Sequence, residues 1–251
     1  MLFRSFRVVP SANRIMLNVG YMREAHPWVR SIDEDMRHLK ERAARTFEHH
    51  QPMLERTLQC AEVSYRYDEA GSMALERVSF TIHRGQSIGI VGPTGAGKST
   101  LVDVLLGLLP PAAGRVLVDD EPLEGHEREW QRQIGYVSQD VYLLDDSLRH
   151  NIAFGIATAA IDESRLAAAV QQARLAEVIA GLPDGLDTNL GENGVRLSGG
   201  QRQRVAIARA LVRAPRLLIL DDALSAVDMH TETSILEALR TRVAGQTRII
   251  V

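Results

Sequence analysis

The sequence predicts an α/β fold in which an antiparallel β subdomain, a parallel-sheet core and a helical subdomain follow one long helix. Three patterns carry that expectation. Apolar residues recur with period two after Leu58, with Val63, Tyr65 and Tyr67 on one face, and again from Leu75 to Ile82, as in two paired strands. An apolar run, Ser87–Val91, leads through a glycine-rich loop into a helical stretch from about Gly97 to Leu108, closed by Gly107, Pro110 and Pro111. Two short apolar runs, Leu217–Leu220 and Arg248–Val251, flank a helical segment from Thr231 to Val243, the pattern of buried parallel strands.

Taken in order, residues 1 to about 56 differ from the rest. They hold ten of the 29 basic residues and four of the eight histidines, and Gly20 is their one glycine. From Ser31 to Phe47, Ile32, Met36, Leu39, Ala43 and Phe47 recur at three- and four-residue intervals, one apolar stripe on a charged helix that needs a partner. The adjacent His49 and His50 point in different directions on a helix and make no metal site. The turn signal Asp68–Ser72 separates the first two strands. Farther on, Asp162 can cap a helix running to Gly181, and Ser198 another running to Arg213 before Pro215, so that 140–212 is mainly helical.

Composition sets the outer limits. The chain has 251 residues against a typical domain of about 150, which gives one large domain or one domain with an appendage. Hydrophobic residues at 45% and charged residues at 24% are those of a folded globular protein. A single cysteine, Cys60, excludes an intrachain disulfide framework and a cysteine zinc site, and fits a reducing compartment. The net charge of −3 carries no global signal for nucleic acid, so any charged partner is met locally. No run of eighteen apolar residues offers a self-evident membrane span, and Pro10, Asn13 and Arg14 break what a secretory leader would keep apolar. Among the 29 basic residues only Lys40 and Lys98 are lysine, and a lysine that survives such a bias raises the question of whether arginine's shape would fail there, as it would at Lys98.

Lys98 lies in Gly92-Pro93-Thr94-Gly95-Ala96-Gly97-Lys98-Ser99, which fits the phosphate-binding pattern G-x-x-x-x-G-K-[ST] and stands after a strand and before a helix. Glycines let successive N–H groups turn toward one point, the helix start adds positive potential, Lys98 reaches the terminal phosphates and Ser99 can ligate magnesium, with Thr100 next in the helix. A nucleoside triphosphate is the natural ligand. Asp221 ends the apolar strand Leu217–Leu220, where open α/β sheets bind ligands, and is placed to hold magnesium. Ser198-Gly199-Gly200-Gln201 opens a helix and makes a second anion site by the same logic.

Leu197-Ser198-Gly199-Gly200-Gln201, between the phosphate loop and the magnesium aspartate, resembles the signature of the ATP-binding cassette family. The resemblance covers about 57–251 and implies a P-loop NTPase cassette that binds ATP and magnesium and hydrolyses ATP. It further implies that two cassettes meet face to face, each signature covering the phosphate held by the other. Within it, Gln139 fits the loop glutamine that joins the magnesium site to the helical subdomain, and Asp228, in Ser225-Ala226-Val227-Asp228, the aspartate that signals across the dimer. Tyr67 resembles the aromatic on which adenine stacks; a plain sheet-face role like that of Tyr65 is the alternative. The segments Gly191–Gly194 and Asn151–Gly155 look like the exporter branch, and Phe6–Ile15 looks like the start of the last membrane helix of lipid and oligosaccharide exporters. Residues 1–56 then read as the end of a membrane domain with its cytoplasmic extension, both ends look cut, and the cassette sits at the cytoplasmic face of a membrane, with no nucleic-acid partner.

The chain departs from the family pattern in two places. The residue after the magnesium aspartate, usually a glutamate that polarises the attacking water, is Asp222, and the family's switch histidine should follow a strand like that ending at Val251. Three functional classes follow: the hydrolytic motor of an exporter, a soluble cassette ATPase acting on DNA or ribosomes, and a cassette that binds ATP but hardly hydrolyses it. The second predicts a long coiled-coil insertion or a second cassette, and the stretch between Lys98 and Ser198 contains no sustained heptads. Asp222 keeps the third open.

Overall fold

The computed structural model describes residues 5–44, 53–68, 71–242 and 245–251, and these fall into two compact units, Met1–His50 and Gln51–Val251. Phe47, His49, His50, Val243 and the middle of the Asp68–Ser72 turn lie outside the described residues.

The first unit is one helix, α1 (Ser5–Ala44). Apolar Ile15, Met16, Trp28, Ile32 and Met36 on it are exposed beside charged residues such as Asp33 and Arg37, which pair at 2.6 Å one turn apart. No helix among the described residues is long and apolar enough to cross a membrane.

The second unit begins with β1 (Thr57–Tyr65) and β2 (Leu75–His83), which pair antiparallel. Leu58 and Cys60 face the core, a register shift with Glu62 at φ 52 inserts one residue, and Val63 then faces the same core. Tyr67 lies beyond the end of β1, so it does not share a strand face with Val63 and Tyr65. β3 (Ser87–Gly89) stops short of the expected Val91, although Ile90 N–H still donates to Ile250 O. α2 (Lys98–Leu105) is shorter than expected at both ends; Gly107 at φ 70 turns the chain out. Sequence reasoning missed β4 (Ala113–Val118), β5 (Glu121–Pro122), α3 (Glu127–Gln131) and β6 (Ile134–Val137). β4 completes the antiparallel sheet in the order β2-β1-β4-β5.

The helical part begins at α4 (Leu148–Ile152), capped by the Ser147 side chain. The helix expected from Asp162 to Gly181 is two helices, α5 (Glu163–Gln172) and α6 (Ala176–Ala180). Ala173 and Leu175 are both fully buried on either side of Arg174, whose φ of 54 lies outside the helical region and separates α5 from α6. Arg204 donates to the Arg174 carbonyl and holds the break. α7 (Gly199–Leu211) starts at Ser198 as expected, with Asp162 and Ser198 capping their helices through side-chain oxygens.

β7 (Leu217–Leu220), α8 (Met229–Arg242) and β8 (Thr247–Ile250) follow, and the parallel sheet runs β3-β8-β7-β6. β7 separates two cores. Leu217 and Ile219 pack with Leu101, Leu105 and Trp130 on the α2 side, while Leu218 and Leu220 pack with Val205, Ile207 and Leu239 on the other. A strand buried on both faces has to be apolar throughout, at about 1.5–3 kcal/mol per buried side chain. That rigid strand carries Asp221 at its end.

Candidate active site

The loop 92–97 joins β3 to α2. Gly97 sits at φ 82, and a Cβ on it would come 2.3 Å from Ala74 O, so the loop can lie this close to the β1–β2 side only with glycine there. Gly97 also provides no side-chain cap to α2, which leaves N–H groups of its first turn without a side-chain acceptor. Ala96 N–H donates to Pro93 O within the loop. Lys98 Nζ donates to Gly92 O at 3.0 Å and Pro93 O at 3.1 Å, which leaves one of its three donors for a ligand.

A cavity of about 590 Å³ opens over this loop, within the size range of nucleotide and cofactor sites. Thr94, Gly95, Gly97, Lys98, Ser99 and Thr100 line it from the loop and α2, Gln139 and Asp221 from the ends of β6 and β7, and Tyr67 and Asp222 from its rim. Asp221 is 9% exposed; its N–H donates to Val137 O, and its Oδ2 accepts from the Tyr136 hydroxyl at 3.3 Å. Asp222 follows at φ 49 and is exposed. Its carbonyl, not its carboxylate, accepts from Ser225, so the side chain is not the cap of the following turn. Tyr67 is 64% exposed, with its hydroxyl 3.0 Å from Thr100 Oγ1 and its ring edge-on to Tyr65 at 5.1 Å.

Two groups here were missed from sequence. Asp103 lies one helical turn after Ser99, a spacing that could have flagged it, and burial first, then the nearby Asp221, pushes its carboxyl above the usual carboxylate range. Tyr136 is pushed up to about 12 by burial, then by Asp221 and Asp103. Among the described residues no cluster of three His, Cys, Asp or Glu could hold a metal by itself. The Ser99 hydroxyl, Asp221 carboxylate and Gln139 amide are nevertheless hard oxygen donors around one cavity. They fit a magnesium ion that takes its other ligands from phosphate and water.

The signature residues line a separate cavity of about 440 Å³ that shares no residue with the first: Ser198, Gly199 and Gly200 from the start of α7, Arg204 one turn on, and Ala226, Val227 and Asp228 opposite. Ser198 Oγ accepts from Gln201 N–H, and Gln201 Oε1 accepts from Ser198 N–H, so Gln201 serves the helix start. Gly200 is needed for packing, since a Cβ would meet Ala226 O at 2.7 Å. Asp228 Oδ1 accepts from Thr231 N–H in the first turn of α8, and that bond holds its carboxyl below the usual range. Arg204, the cation of this cavity, was also missed; its Nε is buried with no hydrogen-bond partner among the described residues.

An antiparallel subdomain, a parallel sheet with a phosphate loop and a helical subdomain that opens on a second anion site together define a P-loop nucleotide-binding cassette. Residues 75–225 match the ABC transporter family, and the chain belongs to it. It is 41% identical over 191 residues to an ATP-dependent lipid A-core flippase of Cupriavidus metallidurans, covering 75% of this chain and 32% of that protein. It is 43% identical over 184 residues to the ABC transporter ATM1 of Toxoplasma gondii, covering 73% and 16%. The structure of a bacterial Atm1-family ABC exporter with ATP bound superposes with a TM-score of 0.72 at 38% identity, covering 79% of this chain and 35% of that one. The chain thus spans about a third of the length of the flippase it matches. It is an exporter-type nucleotide-binding domain.

Proposed function

We propose that this chain binds magnesium-ATP in the larger cavity and hydrolyses it as the motor of a membrane exporter. The observation that carries the reading is the convergence of Lys98, Ser99, Gln139, Asp221 and Asp222, drawn from the start of α2 and the ends of β6 and β7, on a single cavity. Lys98 and the loop N–H groups hold the β- and γ-phosphates, while Ser99, Asp221 and Gln139 hold magnesium, which withdraws charge from the phosphate oxygens when bound. Asp222 takes the proton of the attacking water. Tyr67 stacks on the base.

The signature cavity supports a second chain in the reaction. It shares no residue with the phosphate-loop cavity, which supports a reading in which Ser198, Gly199 and Gly200 at a helix start meet a phosphate held by a second chain. The cassette therefore works as a pair around two ATP, joined to a membrane domain at the cytoplasmic face of a membrane. The resemblance to lipid A-core flippases favours a lipid-linked cargo. Asp222 favours a second reading, in which this chain's own site turns over slowly and its signature serves the active site of a different partner.

Complementation tests the paired site. Lys98→Ala and Ser198→Arg variants should each release phosphate poorly, and their mixture should regain activity, because one composite site then has an intact loop and an intact signature. A mixture no more active than its components contradicts the paired reading.

A further inference from the structure

We infer that Tyr136 is a positioning residue for the magnesium-holding carboxylate, its hydroxyl fixing Asp221 Oδ2 so that the other oxygen faces the cavity. The inference rests on the magnesium-ATP reading above. β6 pairs parallel with β7, with Tyr136 opposite Ile219. Strand side chains alternate, so Tyr136, Ile219 and Asp221 share the face that packs on α2. From that face the phenol donates to Oδ2 at 3.3 Å, the one hydrogen bond made to the Asp221 side chain among the described residues. Tyr136 itself does not line the cavity and acts through Asp221.

A carboxylate at a strand end keeps one free torsion about its terminal bond, and a single donor on one oxygen removes it. Lys98 does not substitute for that donor: two of its N–H groups go to Gly92 O and Pro93 O, and the third makes no hydrogen bond to Asp221 among the described residues. Asp103 does not substitute either: among the described residues it makes no hydrogen bond to the Asp221 side chain. Partners of this kind, behind a metal ligand, typically contribute ten- to a hundredfold in metal affinity.

The test is a magnesium titration of the binding of a fluorescent ATP analogue. Tyr136→Phe keeps the ring and removes the donor; the half-saturating magnesium concentration should rise roughly tenfold, while affinity for the analogue in EDTA and the thermal midpoint stay at their original values. In an Asp221→Asn background, Tyr136→Phe should change nothing further. An unshifted magnesium midpoint overturns the inference, as does a loss of equal size in EDTA or one that persists in the Asp221→Asn background. If Asp221→Asn alone keeps the original magnesium dependence, the magnesium reading of the cavity fails instead.

Discussion

The Tyr67 hydroxyl lies 3.0 Å from Thr100 Oγ1, which ties the segment after β1 to the first turn of α2. Thr100 is buried, whereas Tyr67 is mostly exposed, so the bond anchors an exposed side chain that lines the cavity to a buried one. Removing the hydroxyl and removing the ring should therefore differ. Tyr67→Phe should weaken binding of a fluorescent ATP analogue only slightly, and Tyr67→Ala by about 1–3 kcal/mol, the usual worth of a base on an aromatic. Equal affinities for the two variants would show that Tyr67 does not stack on the base.

Asp222 should limit turnover. Its carboxylate is one methylene shorter than glutamate's, about 1.5 Å, and a misplacement of about 1 Å can cost ~100-fold in rate. The residue already stands in the left-handed region at φ 49, and its carboxylate has no hydrogen bond among the described residues to redirect it. Asp222→Glu should raise phosphate release by at least tenfold. Turnover unchanged by the glutamate shows that aspartate reaches the water at its native length.

Gly200 and Gly199 separate packing from chemistry. A Cβ at Gly200 meets the Ala226 backbone at 2.7 Å, but at Gly199 it finds only the Ala226 side chain, at 3.6 Å. Gly200→Ala should destabilise the fold by about 1–3 kcal/mol and displace the loop that carries Asp228. Gly199→Ala should unfold at the original denaturant concentration. Equal midpoints would contradict the close approach of α7 to that loop.

Cys60 should be inert in the native state. Burial within β1 pushes its thiol up to about 12, so at pH 8 the reactive thiolate is about one part in ten thousand. A maleimide dye should label it only as fast as the protein unfolds. Immediate labelling at pH 8 would show that the antiparallel sheet opens locally.

Much of this site is legible in the sequence because it is written in contiguous segments. The loop ending at Ser99, the buried strand ending at Asp221 and the Ser198 cap each announce local geometry through residue type and order. What was not legible depends on partners distant in sequence. Tyr136 gains meaning only once β6 is paired with β7, and Asp103 only beside Asp221. β4 has Gly114 and Arg115 where a strand pattern should show apolar alternation, which hid it. The helix expected up to Gly181 divides at Arg174, whose positive φ leaves no mark in the apolar periodicity. Tyr67 leaves the expected strand face for a similar reason: the bulge at Glu62 shifts the alternation and β1 ends at Tyr65.

Everything proposed here depends on the cavity over the phosphate loop being a nucleotide site, and titration with a fluorescent ATP analogue in magnesium tests that most directly. The original chain should bind saturably, and Lys98→Ala should abolish binding with the thermal midpoint unchanged. Lys98→Arg should fail almost as badly, because a planar guanidinium cannot occupy the point-charge position that lysine keeps in a chain otherwise rich in arginine. Undiminished affinity in the alanine variant would contradict the account.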